Sequence, residues 1–243
     1  MTNICKAIFL IISSNDNDIY IEFKKLHRIY LKNYRPFIKY YFIEYRDNQE
    51  SIVMEEDDHI YIKGEESINP GMILKTCVAI NYLNQTKDYE YIVRTNLSTL
   101  FHMPNLLDFL YRIPNNNSCA GFSFRGFITG TGIILSKDVS NLIVNNFLSF
   151  DLEQHNEDVL ISGILNNLKI PYFNCNQFYK WGLLINEKPE DKDEYFYMNS
   201  GSEFKEIEFP DNILHFRIKS SINRLNDILY FKFLLNKIYN IVA

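Results

Sequence analysis

The sequence predicts an α/β fold with a mixed, mostly parallel central sheet flanked by helices. Three observations carry that expectation. Short runs that are apolar almost throughout, such as 6–13 (KAIFLIIS) and 89–93, suit strands covered on both faces. Between them lie stretches with apolar residues at helical spacing, among them 20–34 and 71–83. Polar residues follow the apolar runs directly, and in open α/β sheets ligands bind outside the carboxyl ends of the strands.

The 243 residues suffice for one full-sized core, and a single domain spanning 1–243 is expected. A hydrophobic share of 47% excludes a disordered chain. Net charge is −5 with Lys and Arg scattered, which argues against a nucleic-acid-binding surface. Cys5, Cys77, Cys119 and Cys175 contain no CxxC pair, so core thiols in a reducing compartment are expected rather than structural zinc. The apolar run 7–12 is too short for a membrane span and lacks a cleavage pattern. A soluble, cytoplasmic protein without a membrane anchor is expected.

Taken in order, the first strand ends in Ser13, Ser14 and Asn15, a small polar loop. A helix over 20–34 carries Phe23, Leu26 and Tyr30 on its apolar side, and 37–45 reads as a second strand. Glu55, Glu56, Asp57, Asp58 and His59 form the densest acidic run, either a solvated turn or a hard-cation site. A short strand over 60–63 ends at Gly64. Asn69 is placed to cap the next helix, with Pro70 at its first position. The central strand then runs into Arg94, Thr95, Asn96, Leu97 and Ser98, and Pro104 sits in the first turn of a further helix.

Thr129, Gly130, Thr131 and Gly132 lie within 127–136, where glycine permits close backbone approach and leaves N–H groups for a ligand. A helix follows over 140–147, and another starts after Asn156, with Glu157 and Asp158 complementing its dipole. The aromatic stretch 172–184 holds Trp181, and the charged 186–204 reads as a loop. In 213–219 alternation puts His215, Arg217 and Lys219 on one strand face. The tail, 222–242, is an amphipathic helix that closes the core or lies on a membrane.

Four ordered segments, Lys75-Thr76, 94–107, 129–136 and Glu157-Asp158-Val159, resemble GT-A glycosyltransferases. The likeness is to the β1,3-galactosyl/N-acetylglucosaminyl and fringe-like group and covers about 6–219. It implies a GT-A, Rossmann-like fold and inverting transfer of a hexosyl or N-acetylhexosaminyl group from a UDP-sugar to a carbohydrate acceptor. By the same resemblance Asp158 is the catalytic base, aided by Glu157. Ser13, Ser14, Asn96 and Ser98 would bind the donor, with positive charge from Lys75, Arg94, Arg217 and Lys219. Lys75 could instead pair on the surface. Gly130, Thr131, Gly132 and Trp181 would meet the acceptor sugar, and the loop 186–204 would close over the donor. The group's Asp-x-Asp motif is replaced by Asn96, Leu97 and Ser98. No metal cofactor is therefore expected to be required, Mn²⁺ or Mg²⁺ use stays open, and His215 is the candidate ligand. The rival reading is a catalytically inactive nucleotide- or carbohydrate-binding protein of the same fold.

Overall fold

The apolar runs become the inner strands of an eight-stranded sheet. The computed structural model describes residues 4–14, 17–124, 126–175, 177–182, 196–198, 211–220 and 224–243. At the centre β1 (Cys5–Ile12) pairs in parallel with β2 (Ile38–Tyr45) on one side and β5 (Tyr89–Asn96) on the other. Outside β2 lie β4 (His59–Ile62), parallel to it, and β3 (Val53–Glu56), antiparallel to β4. Outside β5 lies β10 (Gly132–Ser136), antiparallel to both its neighbours. Then come β7 (Cys119–Gly121) and β11 (Tyr172–Asn174). All strands but β3 and β10 run one way, so the sheet is mixed and mostly parallel.

Strand alternation divides the core between the two faces. Ala7, Phe9 and Ile11 of β1 point into a cluster with α1 (Asp18–Leu31) and α6 (Arg224–Tyr239). Ile8 and Leu10 point the other way, onto Ala79, Ile80 and Leu83 of α2 (Gly71–Thr86). Helices α4 (Lys137–Asn146) and α5 (Glu157–Asn167) cover Ile133 and Leu135 of β10. A smaller sheet has the order β13 (Phe196–Met198), β12 (Gln177–Gly182), β14 (His215–Ser220), β6 (Thr99–Phe101). It follows from the central strand, because only two residues separate β6 from the end of β5, and β6 leads into α3 (Met103–Arg112). β8 (Ser123–Phe124) and β9 (Phe127–Ile128) form a short hairpin.

Several expectations change. Pro70 occupies the cap position of α2 rather than its first turn, and Asn69 does not cap it. Instead the Ser67 hydroxyl accepts from Gly71 N–H at 3.1 Å. The acidic run is only partly the solvated turn: Asp57 is exposed in the turn between β3 and β4, while its neighbours are paired. Glu55 pairs with Lys87, Glu56 with Arg46, and Asp58 with Arg28 and His59. The tail packs Phe231, Leu234 and Leu235 into the main core. Among the described residues no helix is long and apolar enough to cross a membrane. Most of 186–204 lies outside the described residues, and β13 is the described part.

The chain builds outward from β1 through β2 to β4, then returns to the opposite side of β1 with β5. Strand order reverses between β1 and β5, and the two connecting segments diverge there, opening a crevice at the carboxyl edge.

Candidate functional site

A cavity of about 710 Å³ opens at this switch point. Ser13 and Ser14 enter it from the end of β1, Asn96, Leu97 and Ser98 from the end of β5, and Lys75 from α2. Gly130 and the first turn of α5, Glu157 and Asp158, form another wall, and Arg217 of β14 reaches in from the smaller sheet. Ten of the residues singled out in the sequence thus share one cavity.

Buried ion pairing decides what each presents there. Arg94 is 2% exposed and grips Glu157 with Nε and Nη2, the Nε–Oε1 distance being 2.9 Å. Its Nη1 donates to the Gly130 carbonyl and to Asn96 Oδ1. Thr76 Oγ1 adds a 2.6 Å bond to Glu157 Oε1. Glu157 is therefore held inside the wall, which leaves it no role as a proton acceptor for a substrate. Lys75 is likewise committed, donating to the Ser13 carbonyl at 2.9 Å and to the Glu66 carboxylate at 2.6 Å. The positive charges expected to face a ligand at Arg94 and Lys75 are matched by internal carboxylates.

Asp158 differs. It is half-buried, and its Oδ2 accepts from Gly130 N–H while Oδ1 accepts from Val159 N–H, each at 3.0 Å. Neither partner is a cation. Arg217 Nη1 donates to Ser98 Oγ at 2.6 Å, and Arg224, at the start of α6, also lines the cavity with its Nε 2.9 Å from Asp227 Oδ2.

The glycine segment works differently from expectation. A Cβ on Gly130 would lie 2.9 Å from Arg94 Nη1, so glycine here admits the guanidinium. Gly130 N–H is taken by Asp158. Thr131 and Gly132 do not line the cavity: Gly132 pairs with Thr95 across the sheet and packs on Phe101 and His215. His215 is also away from the cavity, 1% exposed, with Thr131 Oγ1 3.1 Å from its Nε2. Burial pushes its pKa down to about 3, with the Arg217 charge acting in the same direction. Among the described residues no three His, Cys, Asp or Glu side chains gather as a metal-binding group. The side chains of Trp181 and Lys219 lie outside the described residues.

No protein-family model matches the chain, and no curated protein matches it. The site is read from its own geometry.

Sequence reasoning passed over Glu66, Arg224 and His27. A lysine on the core-facing side of a helix needs a counter-charge, so Lys75 pointed to an acid nearby. His27 gave no such signal. It is fully buried on α1, its Nε2 2.8 Å from the Leu97 carbonyl and its Nδ1 3.3 Å from Tyr30 Oη, and so it holds the β5–β6 turn. Burial lowers its pKa from 6.5 to about 4. Between those values the unfolded chain binds the proton and the fold does not, so stability falls as pH falls through this window. Fully expressed, the loss is roughly 3 kcal/mol for this group. His27→Gln supplies an amide N–H for the same carbonyl without titrating. Chemical denaturation at pH 7 and pH 4.5 is expected to show a smaller acid loss in the variant, and an equal loss would remove His27 from the account.

Proposed function

We propose that the cavity binds a nucleotide-sugar, best represented by a UDP-sugar, and that the protein is a GT-A-like glycosyltransferase acting on a carbohydrate acceptor. The reading rests most on one observation: Asp158, a carboxylate without a cationic hydrogen-bond partner among the described residues, shares a cavity at the β1/β5 switch point with the guanidinium of Arg217. The four segments that resemble the fringe-like group supply the family.

In this mechanism Asp158 takes the proton of an acceptor hydroxyl as that oxygen attacks the anomeric carbon. The new C–O bond forms on the face opposite the bond to the diphosphate, which breaks and leaves with its electron pair. Configuration inverts, and UDP departs with added negative charge. Arg217 meets that charge, and electrostatic stabilisation of this kind is often the largest catalytic contribution. Arg94 and Lys75 shape the wall instead.

Asn96 fits a cavity built without the Asp-x-Asp carboxylates. Its Nδ2 donates to the Gly130 carbonyl at 2.8 Å while Oδ1 accepts from Arg94. An aspartate would set a carboxylate oxygen against that carbonyl.

Thermal shift with UDP, run with Mn²⁺ and with EDTA, tests the site. Stabilisation by UDP that persists in EDTA supports a donor site based on Arg217. Arg217→Met is then expected to weaken UDP binding by about tenfold or more. Absence of any shift with UDP or UDP-sugars in either condition would sink the transferase reading. An inactive nucleotide-binding protein is the second reading, favoured by the two backbone N–H groups that occupy Asp158.

A further inference from the structure

An inner strand has neighbours on both sides, whereas an edge strand leaves one row of N–H and C=O groups open. β2 is inner for half of its length and edge for the other half. Its register with β1 runs from Ile38 to Ile43, but its register with β4 begins only at Phe42, opposite His59. Phe42 N–H donates outward to the Asp58 carbonyl at 2.8 Å. By strand alternation the N–H and C=O groups of Ile38 and Tyr40 point the same way, and among the described residues they have no partner there. Residues 38–41 thus leave an open edge about 13 Å long. The side chains of Ile38 and Tyr40 are 1% and 7% exposed and sit in the main core, so the edge is already held in strand form.

This edge runs along a second cavity, of about 760 Å³, which shares no lining residue with the cavity at the switch point. The Asp57-Asp58 turn stands at the end next to Phe42, so an extended segment laid in the cavity would continue the line of β4. Charge sets the chemistry of that segment. Arg28 is matched by Asp58 through bonds of 2.6 and 3.0 Å. Arg35 and Lys39, at the other end, are exposed and have no carboxylate partner among the described residues. A positive end to a groove, in a chain of net charge −5, favours an acidic occupant. An exposed lysine on an open edge also discourages pairing with a second copy of the same edge.

We propose that the open edge of β2 is a docking slot for an extended acidic segment of a partner protein. The segment adds as one strand on Ile38 and Tyr40 and sets its carboxylates against Arg35 and Lys39.

The probe is a phage-displayed pool of random peptides of about eight residues, enough to cover the edge with some overhang. The pool is panned on the whole chain, with the variant Arg35→Glu/Lys39→Glu as the counter-bait. Both side chains are exposed, so the charge reversal leaves the core intact. Selected peptides are expected to be rich in Asp and Glu and to bind the variant about tenfold more weakly. Synthetic copies N-methylated at every second amide then test the mode of binding. One frame of amides faces β2 and the other faces away. Methylation in the first is expected to weaken binding about tenfold or more, and in the second by less than about threefold. Hydrogen exchange at the Tyr40 amide is expected to slow when peptide is bound. Panning that yields no peptide able to tell the two baits apart would overturn the proposal, as would equal losses from the two methylation frames. Peptide binding that inorganic pyrophosphate displaces and that ignores the methylation frame would make the groove an anion site and overturn the strand slot.

Discussion

Replacing Asp158 with asparagine is expected to lower sugar transfer by about 10²–10⁴-fold, the usual contribution of a positioned general base. Nucleotide affinity is expected to change by less than about threefold, because Arg217 and Ser98 make the donor contacts in this reading. The substitution keeps the shape of the side chain. Asparagine can accept from Gly130 N–H or from Val159 N–H but not from both, so the loop loses one of two hydrogen bonds. That costs about 1 kcal/mol and leaves the fold in place. Turnover of UDP-galactose and UDP-N-acetylglucosamine against a glycan panel, read beside UDP titrations, separates the readings. Lost transfer with intact binding supports a catalytic base. Unchanged transfer would remove Asp158 from the chemistry, and joint loss of binding and transfer would make it a structural residue. A native protein that binds UDP and transfers nothing would favour the inactive binding protein.

Much of this arrangement was legible because periodicity reports burial. The mostly apolar runs 6–13 and 89–93 had to be covered on both faces, and they became adjacent central strands. The polar residues after them then shared one edge of the sheet, which brought Ser13, Ser14, Asn96 and Ser98 into one cavity. The partners of those residues were not legible. Nothing in the local pattern around Arg94 says that its guanidinium turns inward to Glu157, which lies 63 residues later. The glycine run failed for a related reason. Glycine marks close approach of something, and sequence does not say whether that is a ligand or, as at Gly130, an arginine of the same chain. The acidic run 55–58 read as solvated because its basic partners, Arg28, Arg46 and Lys87, come from other elements.

Arg94→Met is expected to be the most destabilising single change at the site. Arg94 and Glu157 are each 2% exposed, and removing one partner leaves the other charge buried without compensation. Such losses run to about 3–5 kcal/mol. For a chain of this size that corresponds to a fall of roughly 6–20 °C in thermal midpoint. Three further groups lose a donor together with Glu157: the Gly130 carbonyl, Asn96 Oδ1 and, at 3.5 Å, Met72 Sδ. The Gly130 carbonyl keeps its bond from Asn96 Nδ2, so the loop retains one tether. Adding Glu157→Leu to Arg94→Met removes the stranded charge, and the double variant is expected to recover at least half of the lost midpoint. Additive losses from the two substitutions would show that the pair is not coupled. Recovery would carry a consequence for the chemistry. The cation deepest in the cavity wall would then owe its presence to an internal carboxylate, and the charge offered to a departing diphosphate would fall to Arg217 of the smaller sheet.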